Sequence, residues 1–328
     1  MNIEKLRQEF NLVLERLVAE NCAEISEIDE QLIPIANSLK SYLSEGKRFR
    51  PLFALIGYLG AGGTLTKNVY EAVAALEFLQ ASALIHDDLM DRSDTRRGKP
   101  AMHKQFGDAA AILIGDLALV WGEQAVHKSG LDSKSLNSIH DTMRSELMAG
   151  QFLDVYEQSQ SSFSVERSLK IARFKSGKYS IERPLHFGAA LANPNNLSEF
   201  LSIYSEYGLP LGEAFQLRDD LLGVFGDTAE TGKPAGDDLR EGKRTALIAY
   251  AFDKGDVKTK QLIQNKLGTS DIEGLADAIE ESGAVIHIED LIEKLAEEAL
   301  DAIERDEIEK TAKGFLIEMV SLVTNRTH

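Results

Sequence analysis

Residues 69–91 read VYEAVAALEFLQASALIHDDLMD, with no Pro or Gly among them. Ala72, Leu76, Leu79, Ala83 and Asp87 recur at spacings of three and four, which places them on one face of a long α-helix. The run stays largely apolar until Asp87, Asp88 and Asp91 close it. Asp87 and Asp91 are four apart and point the same way, whereas Asp88 is turned by about 100°. Carboxylates set side by side behind Ala83, Leu84 and Ile85 repel one another, and burying them is costly unless a cation joins them.

The pattern returns at residues 215–227, FQLRDDLLGVFGD, where Gln216, Asp219 and Asp220 occupy offsets of zero, three and four among apolar neighbours. One such pair reads most simply as solvated charge on an amphipathic helix. Two pairs inside the most hydrophobic helices of the chain do not. Oxygen donors without His or Cys suit a hard cation, and Mg²⁺ takes few carboxylates while water and phosphate fill its other positions. Together the clusters suggest a magnesium-bridged phosphate.

The remainder of the chain is helical in pattern. Leu6, Phe10, Val13 and Leu17 share a face, and further helical stretches run over 109–127, 165–191, 197–225 and 246–253. Ile292, Leu295, Ala299 and Ile303 repeat the period near the C-terminus. No alternating strand and no hairpin signal stands out. Gly and Pro cluster at 60–64, 92–100, 193–196 and 226–242, each followed at once by another helical pattern, so the reading is one all-α domain over residues 1–328.

Composition narrows the function. The 328 residues carry 36 Lys and Arg against 53 Asp and Glu, a formal charge of −17, which argues against a nucleic-acid partner. The single cysteine, Cys22, forms no internal disulfide. No uninterrupted apolar run reaches the ~20 residues of a membrane span, and the N-terminus lacks a secretory pattern, so a cytoplasmic setting is expected.

An acidic protein that binds an anion must concentrate positive charge locally. Gly46–Pro51 forms one basic turn; Arg96, Arg97, Gly98 and Lys99 form a second; Lys175, Ser176, Gly177 and Lys178 form a third. Lys233 and Lys243 follow in glycine-rich surroundings. Arg grips phosphate bidentately and Lys supplies a mobile point charge. His86, alone on an apolar helix, reads as structural rather than as a base. One diphosphate held through Mg²⁺ and a second held by Lys and Arg would use this inventory.

These residues resemble the trans-isoprenyl diphosphate synthase (polyprenyl synthetase) family, through GKRFRP, DDLMD, TRRGKP, FKSGKY, FQLRDDLLG and TGKPAGDDLREGKRT in the family's order between residues 46 and 245. The resemblance implies an isoprenoid synthase-type helical bundle around a central cavity, a homodimer, and head-to-tail condensation of isopentenyl diphosphate with an allylic diphosphate. It implies three Mg²⁺ ions, with Mn²⁺ as a substitute: two on Asp87 and Asp91 and the third on Asp219, with Asp88 and Asp220 in support. Lys47, Gln80 (His in many relatives), Arg50 and Arg97 would bind isopentenyl diphosphate. Arg96, Lys175, Ser176, Gln216, Lys233 and Lys243 would bind the allylic diphosphate, and Lys175 joins the aspartates as the catalytic set. Gly223 is the departure: the family's second motif generally ends in a further Asp, and third-metal affinity is what this puts in question. Residues 226–242 read as a lid.

The helix carrying Asp87 can serve as a ruler, since each 5.4 Å turn spans roughly one isoprene unit. Ser82 and Ala83, one turn before Asp87, are small, while Leu79 and Leu76 lie further back. A twenty-carbon product, geranylgeranyl diphosphate, is expected, against a floor built from another helix near Trp121. Farnesyl or longer polyprenyl products are the alternatives. A class I terpene cyclase and a non-catalytic partner subunit are more remote, because FQLRDD is not a cyclase triad and both aspartate stretches are largely intact.

Overall fold

The computed structural model describes residues 2–131, 133–160, 162–226, 235–305 and 307–325. In chain order the first helices are α1 (Ile3–Ile28), α2 (Ile33–Ser44), α3 (Phe49–Gly60) and α4 (Lys67–Met90). Two short strands follow, β1 (Thr95–Arg96) and β2 (Lys99–Pro100), then α5 (Met102–Phe106), α6 (Asp108–Ser129), α7 (Lys134–Gln158) and α8 (Val165–Ala172). A π-helical segment, Arg173–Glu182, leads into α9 (Arg183–Ala192) and α10 (Leu197–Phe225). The last helices are α11 (Asp237–Glu241), α12 (Ala246–Lys254), α13 (Val257–Lys266), α14 (Leu275–Glu281), α15 (Ala284–Ala302) and α16 (Lys310–Thr324).

The fold is the all-α one expected, and α4 is its axis. Val69, Val73, Leu76, Phe78, Leu79 and Ile85 are all buried, on more than one side of the helix. A helix apolar around its circumference must be surrounded. Its main neighbour is α6, with α1, α3 and α5 closing the other sides. Trp121 of α6 meets Phe78 edge-on at 5.9 Å. The Nε2 of His86, which the sequence reads as structural, lies 3.0 Å from the Ile112 carbonyl of α6. A second core joins α3, α9, α10 and α16, and a third gathers α10, α12, α14 and α15. Each fully buried Leu, Ile or Phe stabilises by about 1.5–3 kcal/mol.

Three expectations change. The helix expected over 165–191 is broken by the π-helical segment Arg173–Glu182. Lys175–Lys178 are therefore helical and not a turn; π segments inside helices frequently mark functional sites. A hairpin does exist: Thr95 pairs with Pro100 and Arg96 with Lys99, around Arg97 (φ 53°) and Gly98 (φ 71°). Two residues per strand are too few to show alternation, but positive φ at both turn residues is the requirement of a tight hairpin. Lastly, α6 is long and apolar enough to cross a membrane by length and mean hydropathy, although no uninterrupted apolar run reveals it. Here it packs along α4, with 44% of its most apolar window buried.

Candidate active site

The C-terminal end of α4 delivers its carboxylates to a ring of cations. Asp87 Oδ1 accepts from Lys175 Nζ (3.1 Å) in the π-helical segment and from Gln151 Nε2 (2.8 Å) in α7. Lys175 also donates to Asp154 (2.6 Å). Burial opposes ionisation of Asp87, but Lys175, Lys243 and Arg96 outweigh it and hold its carboxyl well below the usual range. Asp88 is 1% exposed and accepts from Arg96 Nε at 2.9 Å, with a further bond from Arg96 Nη2. Asp91 differs. Burial, then the neighbouring Asp87, raises its pKa to about 6. Both its oxygens are buried without a hydrogen bond, and Lys243 Nζ lies 3.4 Å away.

The second acidic stretch lies on the C-terminal half of α10. Gln216 Nε2 donates to Asp220 Oδ1 at 2.7 Å. Burial raises the Asp220 pKa to about 8, and repulsion from Asp238 and Asp219 adds to it. Lys243 sits between the stretches, 2.9 Å from Asp238 Oδ1, 2.6 Å from Glu241 and 3.4 Å from Asp91. Ser93, just past Asp91, donates to Glu241 at 2.6 Å and ties the turn after α4 to α11. One ammonium thus joins the first acidic stretch to α11, whose Asp238 lies close enough to Asp220 to repel it.

This excess of buried acid has a pH signature. Asp220 is ordinarily near 3.8 and rises to about 8 when folded. Between those values the folded chain keeps a proton that the unfolded chain releases, so metal-free stability falls as pH rises across the window. In EDTA, Asp220→Asn should flatten that fall and leave the variant more stable than wild type at pH 8, by a few kcal/mol on the order of the linkage. Urea unfolding at pH 5 and pH 8 measures it; an Asn variant less stable than wild type at pH 8 contradicts it.

The carboxylates fit a hard divalent cation. Oxygen is their donor type, and both Asp91 oxygens are buried without a hydrogen bond, their ion-pair contact being Lys243 at 3.4 Å. Among the described residues no group of three or more His, Cys, Asp or Glu is arranged as a closed metal cage.

Of the residues expected for the second diphosphate, Arg50 and Gln80 meet through Tyr179. Arg50 donates to Ser180 Oγ at 2.7 Å and lies over the Tyr179 ring at 4.4 Å; the Tyr179 hydroxyl donates to Gln80 Oε1 at 2.9 Å. Arg97 donates to the Tyr42 and Glu45 carbonyls, both at 2.9 Å, and borders Gly46 in the loop that carries the exposed Lys47. Ser176 is buried within the π-helical segment. Other basic residues turn away: Arg48 pairs with Glu77 at 2.6 Å, and Lys178 with Glu146 at 2.8 Å. Lys233 and residues 227–234 of the expected lid lie outside the described residues. Leu76, Leu79 and Ser82 are buried and Ala83 half-buried, and the Ser82 hydroxyl has no partner.

Gln151, Asp154, Tyr179, Ser93, Glu241 and Asp238 were not singled out by sequence reasoning. For the first two a signal existed in GQFLD, residues 150–154. A Cβ on Gly150 would lie 2.4 Å from the Lys175 backbone nitrogen, so glycine there brings α7 close enough for Gln151 and Asp154 to reach the cluster.

The chain is 34% identical over 280 residues to a geranylfarnesyl diphosphate synthase of Aeropyrum pernix, covering 82% of this chain and 86% of that one. It is 32% identical over 240 residues to a geranylgeranyl diphosphate synthase of Saccharolobus solfataricus, covering 71% of each. Among solved structures, a geranylgeranyl pyrophosphate synthase of Corynebacterium glutamicum, complexed with isoprenyl diphosphate and magnesium, superposes with a TM-score of 0.92. That match is at 37% identity and covers 99% of this chain and 100% of that chain. The polyprenyl synthetase family model matches residues 34–282, and the chain belongs to that family.

Proposed function

We propose that this protein condenses isopentenyl diphosphate head-to-tail with dimethylallyl, geranyl or farnesyl diphosphate and releases geranylgeranyl diphosphate, C20. As a polyprenyl synthetase it is a Mg²⁺-dependent prenyltransferase. The observation that carries the fuller reading is the meeting of Asp87, Asp91 and Asp238 around Lys243, with Asp91 lacking any hydrogen bond. Mg²⁺, when bound here, supplies the charge that neutralises the departing diphosphate; we expect three ions, on Asp87, Asp91 and Asp219, with Mn²⁺ able to substitute. Lys175, Lys243 and Arg96 stabilise the same developing negative charge as the allylic C–O bond breaks. Arg50, Lys47, Arg97 and Gln80 hold isopentenyl diphosphate so that its double bond attacks the allylic carbocation. A proton then leaves to the released diphosphate. Apolar walls along α4 keep water from capturing the cation.

The product length rests on α4. Small Ser82 and Ala83 leave room for a third and fourth isoprene unit, and buried Leu79 and Leu76 then close the path. Ser82→Phe should move the dominant product from C20 to C15 or shorter. An unchanged product distribution contradicts the ruler and moves the floor towards Trp121.

The chain would act as one helical domain in the cytoplasm and as a homodimer. Exposed Leu113 (68%) and Val120 on α6, with Phe152 (69%) and Tyr156 on α7, form two apolar stripes on helices joined by the Arg144–Glu123 ion pair. A second copy would cover them. A sedimentation mass of a single 36.2 kDa chain contradicts that assembly. Incubation with isopentenyl diphosphate, Mg²⁺ and each allylic primer, followed by product sizing, tests the reaction. C20 prenyl diphosphate is expected. Cyclised hydrocarbon, or no elongation, overturns it.

A further inference from the structure

Position 223 lies one helical turn beyond Asp219 on α10, so a side chain there would face the same way as Asp219. Glycine occupies it, and the space is filled from elsewhere. A Cβ built on Gly223 would lie 1.9 Å from Asp238 Oδ2 and 2.5 Å from its Cγ. The carboxylate of Asp238, carried on α11, therefore sits where a residue 223 side chain would stand. Its other oxygen accepts from Lys243 at 2.9 Å, and Lys243 reaches on to Asp91, whose two oxygens are buried without a hydrogen bond.

We propose that Asp238 completes the divalent-cation site of Asp219, delivering over the glycine the acid that α10 does not itself supply at position 223. The geometry explains why glycine suits this chain: any side chain at 223 would expel Asp238 and separate it from Lys243. The C-terminal part of α10 and the short helix α11 are thereby joined at the metal site. This inference rests on the prenyltransferase reading of the site, and its test keeps the two apart.

Mg²⁺ is titrated calorimetrically into the full chain held with saturating inorganic diphosphate. Asp238→Asn, which keeps the size and shape of the side chain, should weaken Mg²⁺ uptake about tenfold, the usual cost of losing a supporting group at a metal site. Gly223→Asp alone should lower both Mg²⁺ affinity and melting temperature, and Gly223→Asp combined with Asp238→Gly should recover the affinity by returning the acid to α10. An Asp238→Asn protein with the wild-type Mg²⁺ midpoint overturns the inference and leaves the prenyltransferase reading standing. So does a variant whose diphosphate affinity falls at saturating Mg²⁺ with no change in the metal midpoint, because Asp238 would then act only through Lys243. Wild-type protein that binds no diphosphate in a Mg²⁺-dependent way overturns both.

Discussion

Replacing Asp87 with Ala should lower kcat by roughly a thousandfold or more, about 4 kcal/mol of transition-state stabilisation at ~1.36 kcal/mol per decade. Asp87 is the acid on which Lys175, Lys243 and Arg96 converge, and it is held ionised against the effect of its own burial. Removing it takes away a metal anchor and leaves three cations with one fewer counter-charge. The fold should survive, since Lys175 keeps Asp154 at 2.6 Å and Arg96 keeps Asp88. Steady-state kinetics paired with a melting curve separate the two effects. A kcat within tenfold of wild type, or a collapse of the melt that accounts for the whole loss, contradicts a chemical role.

Gly188→Val should be the most damaging single change to the fold. At the crossing of α3 and α9 the backbones touch: a Cβ on Gly188 would lie 1.9 Å from the Ala54 carbonyl oxygen and 2.7 Å from the Tyr58 nitrogen. Neither atom belongs to a flexible side chain, so the helices themselves must part. Overpacking of a rigid core costs about 1–3 kcal/mol and more when backbone must shift, so a loss of roughly 3 kcal/mol or more is expected. The same displacement would draw Arg50 on α3 away from Ser180 and Tyr179, which precede α9. Denaturant midpoints of wild type and variant decide it; a change below about 1 kcal/mol means the crossing is looser than these distances require.

What the sequence disclosed follows from what periodicity can encode. Helix α4 was read at 69–91 and runs Lys67–Met90; α10 was read at 197–225 and has those bounds. Both are strongly apolar, and burial enforces the pattern. Helix α7 escaped notice although Leu136, Ile139, Met143 and Leu147 recur at helical spacing and are buried, because its composition is largely polar; Met148, Phe152 and Val155 face outward, yet it carries Gln151 and Asp154 into the site. The π-helical segment is invisible because a change of helix type leaves apolar residues near the same spacing. Asp87, Asp91 and Asp219 could be singled out because charge inside an apolar helix is costly without a purpose, and Lys243 because a cation in glycine-rich surroundings suits the close approach of an anion. Asp238 could not be, since its meaning depends on Gly223, fifteen positions earlier, having no side chain in the space it fills.

A crystal of the full chain grown with Mg²⁺ and a non-hydrolysable thio analogue of farnesyl diphosphate tests the central claim most directly. The diphosphate should sit between the C-terminal ends of α4 and α10, with cations on Asp87, Asp91 and Asp219, Lys243 turned to phosphate, and the prenyl tail running past Ser82 towards Leu76. A diphosphate bound elsewhere, or held at this place with no cation touching either acidic stretch, would contradict the account.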